Sequence, residues 1–245
     1  MMYKDWFKYW FNSHQYFLIY KNRNEEEARQ FFNLIEKNIP LQRQWRILDF
    51  CCGYGRLAKI FSREGYNITG IDLSEFFIKE AKKMFREENL QGEFKICDVR
   101  NFKEKDAYEL GINFFTSFGY FSEEENLLTF KNLCESIVKN GWVVIDYFNP
   151  DFVINNLVEK EKFEFESSEI LIERKIENER VNKIIVIKTN DRVEKYFESI
   201  RIYELDDFKN MFERNGFTTV KVFGDYAGNS FDSNSPRMII FSQKQ

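Results

Sequence analysis

One segment near the start of the chain restricts the folds that the sequence can adopt. Residues 47–50 form a short apolar strand pattern, and a turn that contains Gly53 and Gly55 leads into an amphipathic helical pattern. A second apolar segment, residues 68–73, carries Asp72 near its carboxyl end. This order of elements, in which a glycine turn joins a strand to a helix and an acid ends the next strand, is typical of parallel sheets that bind a nucleoside-containing ligand at their edge. The sequence therefore predicts an α/β domain that binds such a ligand.

The residue types in this segment suit a ligand that contains a ribose. Gly53 and Gly55 lack a Cβ, so backbone N–H groups can approach the ligand closely. The carboxylate of Asp72 can accept hydrogen bonds from both hydroxyls of a ribose. Residues 53–58 also match the dinucleotide fingerprint G-x-G-x-x-G/A. The turn alone therefore leaves an NAD-dependent oxidoreductase open beside other enzymes with nucleoside cofactors.

Acidic residues around three successive strands separate these ligand classes. Asp49 precedes the glycine turn, Asp72 ends the next strand, and Asp98 follows the third strand pattern at residues 94–97. In this spacing the chain resembles motif I, the following acidic strand and motif II of the class I S-adenosylmethionine-dependent methyltransferases. Cys51 stands where that family usually has the first glycine of its G-x-G-x-G. Cysteine is small, so we expect the site to tolerate it, and we prefer the methyltransferase hypothesis.

The resemblance implies a site for S-adenosyl-L-methionine, with S-adenosyl-L-homocysteine as the product. Asp49 and the glycine turn would hold the methionine part, Asp72 the ribose, and Asp98 would face the adenine amino group. Arg23 would pair with the cofactor carboxylate, and Tyr20 would close over the cofactor. The expected cofactor-binding residues are Asp49, Cys51, Gly53, Gly55, Asp72, Leu73, Asp98, Val99, Asn113, Tyr20 and Arg23.

Further segments resemble one bacterial, small-molecule-type branch of the family. Residues 113–121 look like the N-x-F-T-S-F-G-Y-F segment at the end of its fourth strand. The aromatic segment 5–23, the turn into the fifth strand at 141–146, and segments 224–226 and 235–237 are similar to that branch as well. The resemblance therefore supports a fold and a cofactor more directly than an acceptor.

Alternating strand and helix patterns up to residue 150 predict a doubly wound, Rossmann-like α/β domain. A capping box at Ser122 predicts a helix to about Lys139, where Asn140-Gly141 would stop it, and a fifth strand at 142–148. Strand patterns at 217–223 and 237–242 would form the C-terminal antiparallel hairpin of the seven-stranded methyltransferase sheet. A dehydrogenase fold does not require that hairpin, so its presence discriminates between the two hypotheses.

From residue 151 onward, β-branched and aromatic residues alternate with charged ones and predict an inserted antiparallel β subdomain. The segment before the first strand is rich in aromatic residues and predicts a helical lid. We therefore divide the chain into a lid at 1–39, a methyltransferase domain at 40–150 and 204–245, and the insert at 151–203. The lid and the insert would flank the cofactor cleft and are candidate contacts for a homodimer.

Charge and cysteine usage exclude several other classes. The net charge of −4 and the pI of about 5.4 argue against a broad nucleic-acid footprint. Four cysteines and a single histidine form neither a disulfide framework nor a zinc site, so we expect no metal. No apolar run approaches a membrane span, and we expect a cytoplasmic protein without membrane contact.

Methyl transfer from a sulfonium starts from an activated electrophile. The protein therefore has mainly to bind the cofactor, to align the acceptor with the methyl group and to exclude water. A general base is needed only for an acceptor that arrives protonated. Candidate catalytic residues are therefore few: Asn113, Tyr120 and Asn149 near the carboxyl ends of the fourth and fifth strands, and His14. We expect a small-molecule acceptor methylated on N or O. The alternatives are an NAD-dependent oxidoreductase and a non-catalytic cofactor-binding or scaffold protein.

Overall fold

The structure is a computed structural model that describes residues 5–20, 25–165 and 168–245. The helices are α1 (Trp6–Trp10), α2 (His14–Tyr20), α3 (Glu25–Asn38), α4 (Arg56–Arg63), α5 (Glu75–Glu87), α6 (Glu123–Glu135), α7 (Pro150–Asn155) and α8 (Leu205–Arg214). The strands are β1 (Arg46–Phe50), β2 (Asn67–Asp72), β3 (Glu93–Ile96), β4 (Tyr108–Asn113), β5 (Ile137–Phe148), β6 (Lys160–Phe165), β7 (Ser168–Glu177), β8 (Arg180–Lys188), β9 (Val193–Arg201), β10 (Phe217–Phe223) and β11 (Arg237–Lys244). None of the helices in these ranges has the length and apolar composition that crossing a membrane requires.

The central sheet has seven strands in the order β10-β11-β5-β4-β1-β2-β3. Strands β1 to β5 run parallel, whereas β11 lies antiparallel between β5 and β10. This confirms the predicted mostly parallel, Rossmann-like sheet with a C-terminal antiparallel hairpin. The strand order reverses between β1 and β4, and such a reversal opens a ligand crevice at the carboxyl ends of the strands.

Apolar layers cover both faces of this sheet because successive strand side chains point to opposite faces. In β1, Ile47 packs in the layer that contains residues of α3, α4 and α5, and Leu48 packs in the layer that contains residues of α6 and α8. Both side chains are fully buried. Strand β1 therefore lies in the middle of the molecule, and its carboxyl end is held rigidly where the crevice opens.

A second, four-stranded antiparallel sheet has the order β6-β7-β8-β9. Its apolar face carries Ile172 and Ile185, which pack in one buried cluster with Trp6, Phe7 and Trp10 of α1. The opposite face carries most of the charged residues of this sheet and is partly exposed, which agrees with the alternation seen in the sequence. Helix α1 is thus attached to the second sheet, and the two elements together cover one side of the crevice.

The predicted helix to Lys139 is wrong at its end. Helix α6 stops at Glu135, and β5 begins at Ile137, which pairs with Tyr108 in β4 and is fully buried. Asn140 takes a left-handed φ of 63°, but it does so inside the long strand and not at the end of a helix. Pairing and burial of Ile137 outweigh the local helical pattern there. Helix α7, which the sequence analysis missed, begins at Pro150.

We expect Gly141→Ala to destabilise the protein by about 1–3 kcal/mol, because an added Cβ would meet closely packed atoms. That Cβ would lie 2.6 Å from Cγ2 of Ile137 and 2.9 Å from the carbonyl oxygen of Glu109. Urea unfolding followed by circular dichroism measures the change. Asn140→Gly is the matched control and should alter the free energy of unfolding by less than about 1 kcal/mol, because glycine accepts a positive φ. Equal effects of the two substitutions would contradict the close packing at Gly141.

Candidate functional site

A cavity of about 330 Å³ lies at the carboxyl ends of the parallel strands, beneath α1 and α2. The turn after β1, the ends of β2 and β3 and the segment after β4 contribute to its wall, and β9 of the second sheet closes it. Of the expected site residues, nine line this cavity: Tyr20, Asp49, Cys51, Gly53, Asp72, Leu73, Asp98, Val99 and Tyr120. The structure therefore brings together residues from several strands at the point where the strand order reverses.

The turn after β1 depends on residues with a positive φ. Cys51, Gly53 and Gly55 have φ values of 69°, 55° and 82°. A Cβ on Gly53 would meet no atom within 4 Å, so backbone conformation, and not crowding, favours glycine there. Cys51 occupies the same left-handed region at a cost of about 1–2 kcal/mol, which explains why the resembled family usually has glycine at this place. The turn holds backbone N–H groups near the cavity.

Asp72 ties the end of β2 to this turn. Its Oδ2 accepts a hydrogen bond from the Gly53 N–H at 2.9 Å, and its Oδ1 accepts one from the Ser74 N–H at 2.8 Å. Burial raises the pKa of Asp72, although these backbone donors oppose the increase. A carboxylate has about four lone-pair positions, so each oxygen can still accept another hydrogen bond from a ligand. The arrangement can bind two neighbouring hydroxyl groups.

Asp49 presents an unsatisfied acceptor to the cavity. Its side chain is 1% exposed, and its Oδ2 has no hydrogen-bond partner among the residues that the structure describes. Burial raises the pKa of this carboxyl to about 7, and the nearby charge of Asp72 adds to the increase. A buried acceptor of this kind is stabilised by a donor or a positive charge from a ligand. The site thus fits the cationic methionyl part of S-adenosylmethionine.

Asp98 caps the short 3₁₀ helix Val99–Asn101 and is held by Arg100. The guanidinium of Arg100 donates from Nε and from Nη2, at 3.0 and 2.6 Å, and its backbone N–H donates at 3.0 Å. Burial alone would raise the pKa of Asp98, but the hydrogen bonds and charge of Arg100 outweigh it and lower the pKa. Asp98 therefore remains ionised at neutral pH and is oriented along the cavity wall.

Tyr120 is the one catalytic candidate that lines the cavity among the described residues. Its hydroxyl donates to the Thr116 carbonyl oxygen at 2.9 Å, and its ring contacts those of Trp6 and Phe11. Burial, together with the nearby acidic groups of Tyr16 and Glu198, raises the pKa of this phenol well above its usual value. A phenol that keeps its proton cannot act as a general base at neutral pH, so Tyr120 serves as part of an aromatic wall.

Four expected site residues do not line the cavity. Gly55 ends the turn and directly precedes α4, and it does not line the cavity. Asn113 is buried, and its amide donates to the carbonyl oxygens of Phe50 at 3.0 Å and Ser117 at 3.1 Å. Asn149 caps α7, and exposed His14 begins α2 near the ring of Phe76. These positions provide turn geometry and packing. Arg23 lies outside the described residues.

The environment of the two thiols beside the turn disfavours their thiolate forms. Burial raises the pKa of Cys51 well above its usual value, and the charges of Asp72, Asp49 and Asp98 increase it further. Cys52 is raised in the same way by burial and by the nearby carboxylates. Because a thiol reacts as its thiolate, both side chains act as small apolar groups at neutral pH.

A buried ionic network behind the cavity was recognised only in part from the sequence. Asp146 is fully buried, and its Oδ1 accepts a hydrogen bond from Nε of Arg237 at 2.7 Å. Its Oδ2 accepts from the Tyr226 hydroxyl and from the Phe115 N–H, each at 2.9 Å. Phe115 and Thr116 both have a positive φ, near 60°. Asp146 therefore holds a strained turn after β4 and directs Arg237 to the cavity wall.

Glu198 of β9 also lines the cavity and had no recognisable sequence signal. It lies 188 positions from Trp10, whose indole Nε1–H donates to Glu198 Oε2 at 3.0 Å. The alternation in β9 indicates that Glu198, Ile200 and Tyr196 share one face, but it does not indicate that this face is the inner one. Only the packing of α1 on the second sheet brings the carboxylate to the site.

Comparisons with known proteins agree with this geometry. Residues 47–141 match a family model described as a methyltransferase domain. A protein of Geobacillus sp. (strain WCH70), itself only provisionally named a methyltransferase, is 23% identical over 252 residues, which cover 97% of this chain and 98% of that protein.

Solved structures share the fold over nearly the whole chain. An S-adenosylmethionine-dependent methyltransferase from Clostridium acetobutylicum ATCC 824 has a TM-score of 0.80 at 16% identity, covering 93% of this chain and 95% of that chain. A sugar N-methyltransferase from Streptoalloteichus sp. ATCC 53650 has a TM-score of 0.73 at 14% identity, covering 95% of this chain and 93% of that chain.

The sheet order, the antiparallel strand β11 and the glycine turn beneath Asp72 define a class I methyltransferase fold. With the methyltransferase domain at residues 47–141, this chain is an S-adenosylmethionine-dependent methyltransferase that has the class I fold. S-Adenosyl-L-methionine is accordingly its cofactor, and the predicted family and enzyme class are confirmed.

Asp49→Asn should change how stability depends on pH. In the ligand-free protein the folded-state pKa of Asp49 is about 7, above the value near 4 of an unfolded chain. The folded state keeps the proton on Asp49 up to a higher pH than the unfolded chain does. The stabilisation that this proton provides is therefore lost as pH rises from about 4 to about 7, by up to about 4 kcal/mol. Relative to wild type, the free energy of unfolding of Asp49→Asn should therefore increase between pH 5 and pH 8 in urea titrations. A constant difference across that range would contradict the raised pKa.

Asp146→Ala should lower the free energy of unfolding by about 3–5 kcal/mol, because it leaves the mostly buried Arg237 without its counter-charge. Adding Arg237→Leu to this variant should recover part of the loss, so that the double change costs less than the two single changes together. A double-mutant cycle measured by chemical denaturation tests the coupling. Strict additivity would show that the pair does not act as a unit.

Proposed function

We propose that this methyltransferase transfers a methyl group to a nitrogen or oxygen atom of a small-molecule acceptor. The observation that carries the proposal is that one cavity is lined by two kinds of residue. Asp49, Gly53 and Asp72 suit the cofactor, whereas Phe7 of α1 and Tyr16 of α2 are aromatic. We infer that a small acceptor binds beside the aromatic side chains, and we call this part of the cavity the acceptor end.

We assign the cofactor contacts residue by residue. Asp72 would accept hydrogen bonds from the ribose hydroxyls with its remaining lone pairs, and Asp98 would face the adenine amino group. Asp49 and the turn at Gly53 would hold the methionyl part. Leu73 and Val99 line the cavity beside these acids and would pack on the nucleoside. These assignments extend the resemblance to motifs I and II with the burial and hydrogen bonding described above.

The bound cofactor supplies an activated methyl group on a sulfonium, and the protein's own residues would position and shield it. Tyr16 and Tyr20 pack ring to ring at 4.7 Å, and both line the cavity. Aromatic faces attract a cation and exclude water, which suits the surroundings of a sulfonium. We propose that the segment at residues 1–39 acts as a lid, and that α1 and α2 are the part of it that covers the cavity.

Three observations support a small acceptor: the enclosure of the cavity, the net charge of the chain and the name of a protein with the same fold. The cavity is bounded by α1, α2 and β9, which leaves little width for a macromolecule. The chain carries a net charge of −4, which is unfavourable for a nucleic-acid substrate. The fold neighbour from Streptoalloteichus is named a sugar N-methyltransferase, and that name favours a small acceptor here. The domain at 40–150 and 204–245 would carry the cofactor, and the insert at 151–203 would shape the acceptor end.

Calorimetric titration with S-adenosylhomocysteine tests the cofactor assignment. The wild-type protein should bind this product at micromolar concentration, and Asp72→Ala should weaken binding by at least about tenfold, since hydrogen bonds to a charged group contribute about 1.5–3 kcal/mol. Asp151→Ala, an exposed acid outside the cavity, is the matched control and should bind as wild type does. Folded wild-type protein without affinity, or undiminished affinity in Asp72→Ala, would overturn the proposed site.

A further inference from the structure

A second cavity, of about 460 Å³, lies between α7 with the residues that follow it and the lower part of the second sheet. Its apolar wall includes Phe152, Val153, Leu157 and Val181. No sequence motif falls in this region, and none of the residues assigned to the cofactor lines this cavity. A cavity with such a wall suits an apolar group of a ligand.

The two cavities meet at three shared residues, namely Phe148 at the end of β5 and Glu198 and Ile200 on β9. Glu198 and Ile200 are two positions apart in one strand, so their side chains lie on the same face of the sheet. A ligand that reaches from the first cavity to the second would therefore pass Glu198. The shared wall residues place the second cavity beside the first, where it can hold a further part of the acceptor.

The carboxylate of Glu198 is largely buried and only partly satisfied. Nε1 of Trp10 donates to its Oε2 at 3.0 Å, and Nζ of Lys183 lies 3.6 Å from the same oxygen. The side chains of Lys183 and Glu198 are 12% and 15% exposed. Among the described residues, Oε1 of Glu198 has no hydrogen-bond partner. A mostly buried carboxylate oxygen between two cavities is placed to accept a hydrogen bond from a ligand.

Lys183 fixes the orientation of this carboxylate. Its ammonium also contacts the hydroxyl of Tyr20 and lies over the Tyr20 ring, 4.9 Å from the centroid. Lys183 pairs directly with Glu198 between β8 and β9, so both side chains lie on the inner face. Trp10 and Lys183 together hold Oε2, and the other oxygen of the carboxylate is left for the acceptor.

We propose that the acceptor is an amine whose nitrogen binds to Glu198 at the junction of the two cavities and whose apolar body lies in the second cavity. This inference rests on the proposed methyl transfer to a small molecule and narrows its acceptor class. A carboxylate attracts a protonated amine and accepts its N–H hydrogen bond, whereas a neutral alcohol gains only the hydrogen bond. An ammonium has no lone pair, so Glu198 would take one of its protons before transfer. The nitrogen lone pair would then bond to the methyl carbon while the carbon–sulfur bond breaks, and S-adenosylhomocysteine would keep that electron pair. Glu198 is therefore a specificity-determining residue of the acceptor site.

The test compares matched amines and alcohols on protein saturated with S-adenosylhomocysteine. The probes are 4-phenylbutylamine, 4-phenyl-1-butanol and benzylamine, and calorimetry measures their dissociation constants. We expect 4-phenylbutylamine to bind at least about tenfold more tightly than the alcohol, as one charged hydrogen bond allows. In Glu198→Gln this preference should disappear, whereas Val193→Trp, at an exposed position that lines neither cavity, should keep it.

Tryptophan substitutions that fill the second cavity test whether it binds the apolar body of the acceptor. Leu157→Trp and Val158→Trp should weaken binding of 4-phenylbutylamine by at least about tenfold and leave benzylamine, whose body is shorter, nearly unaffected. Val158 is 58% exposed, so its replacement should not disturb folding. Val193→Trp, at an exposed position that lines neither cavity, is the matched control.

Two sets of results would overturn the inference. An alcohol that binds as tightly as its amine, or a preference that survives in Glu198→Gln, would exclude Glu198 as the amine-binding group. If the tryptophan variants lose the same affinity for the long and the short amine, the second cavity does not bind the apolar body of the acceptor. If S-adenosylhomocysteine binds normally in these experiments, only the acceptor inference fails. If wild-type protein does not bind S-adenosylhomocysteine, the proposed methyl-transfer site fails instead.

Discussion

The hydrogen bonds that Asp72 accepts from the Gly53 and Ser74 N–H groups are the interaction on which the site depends. They join the turn after β1, the end of β2 and the start of α5 through one carboxylate. The turn has a left-handed backbone at three positions, so it needs such a fixed partner to keep its shape. Because each oxygen retains a lone pair, the carboxylate that builds the turn can also accept hydrogen bonds from a ligand.

A second buried carboxylate plays the corresponding structural part on the other side of the strand-order reversal. Asp146 accepts hydrogen bonds from Phe115, Tyr226 and Arg237, which belong to the turn after β4, the segment after β10 and β11. The C-terminal hairpin is therefore more than an addition to the sheet edge. It supplies the counter-charge that makes a fully buried aspartate tolerable, and it brings a guanidinium to the cavity wall.

The proposed acceptor end would be built from elements that are far apart in the chain. Helix α1 packs on the second sheet, Trp10 and Lys183 contact one oxygen of Glu198, and Glu198 lines both cavities. Asn113 and Asn149 line neither cavity, and their amides donate to backbone carbonyl oxygens instead. Glu198 is therefore the polar side chain from which we infer the chemistry of the acceptor.

The sequence alone determined the class of fold, the cofactor and the positions of the three acids at or just after the carboxyl ends of β1, β2 and β3. These features depend on short-range periodicity and on motifs confined to a few residues, which remain visible without tertiary contacts. It misplaced the end of α6, because burial and pairing of Ile137 outweigh a local helical pattern. Only the tertiary structure assigned packing roles to Asn113 and Asn149 and brought Glu198 and Arg237 to the site. Their positions depend on contacts across many tens of residues, and no local pattern encodes such contacts.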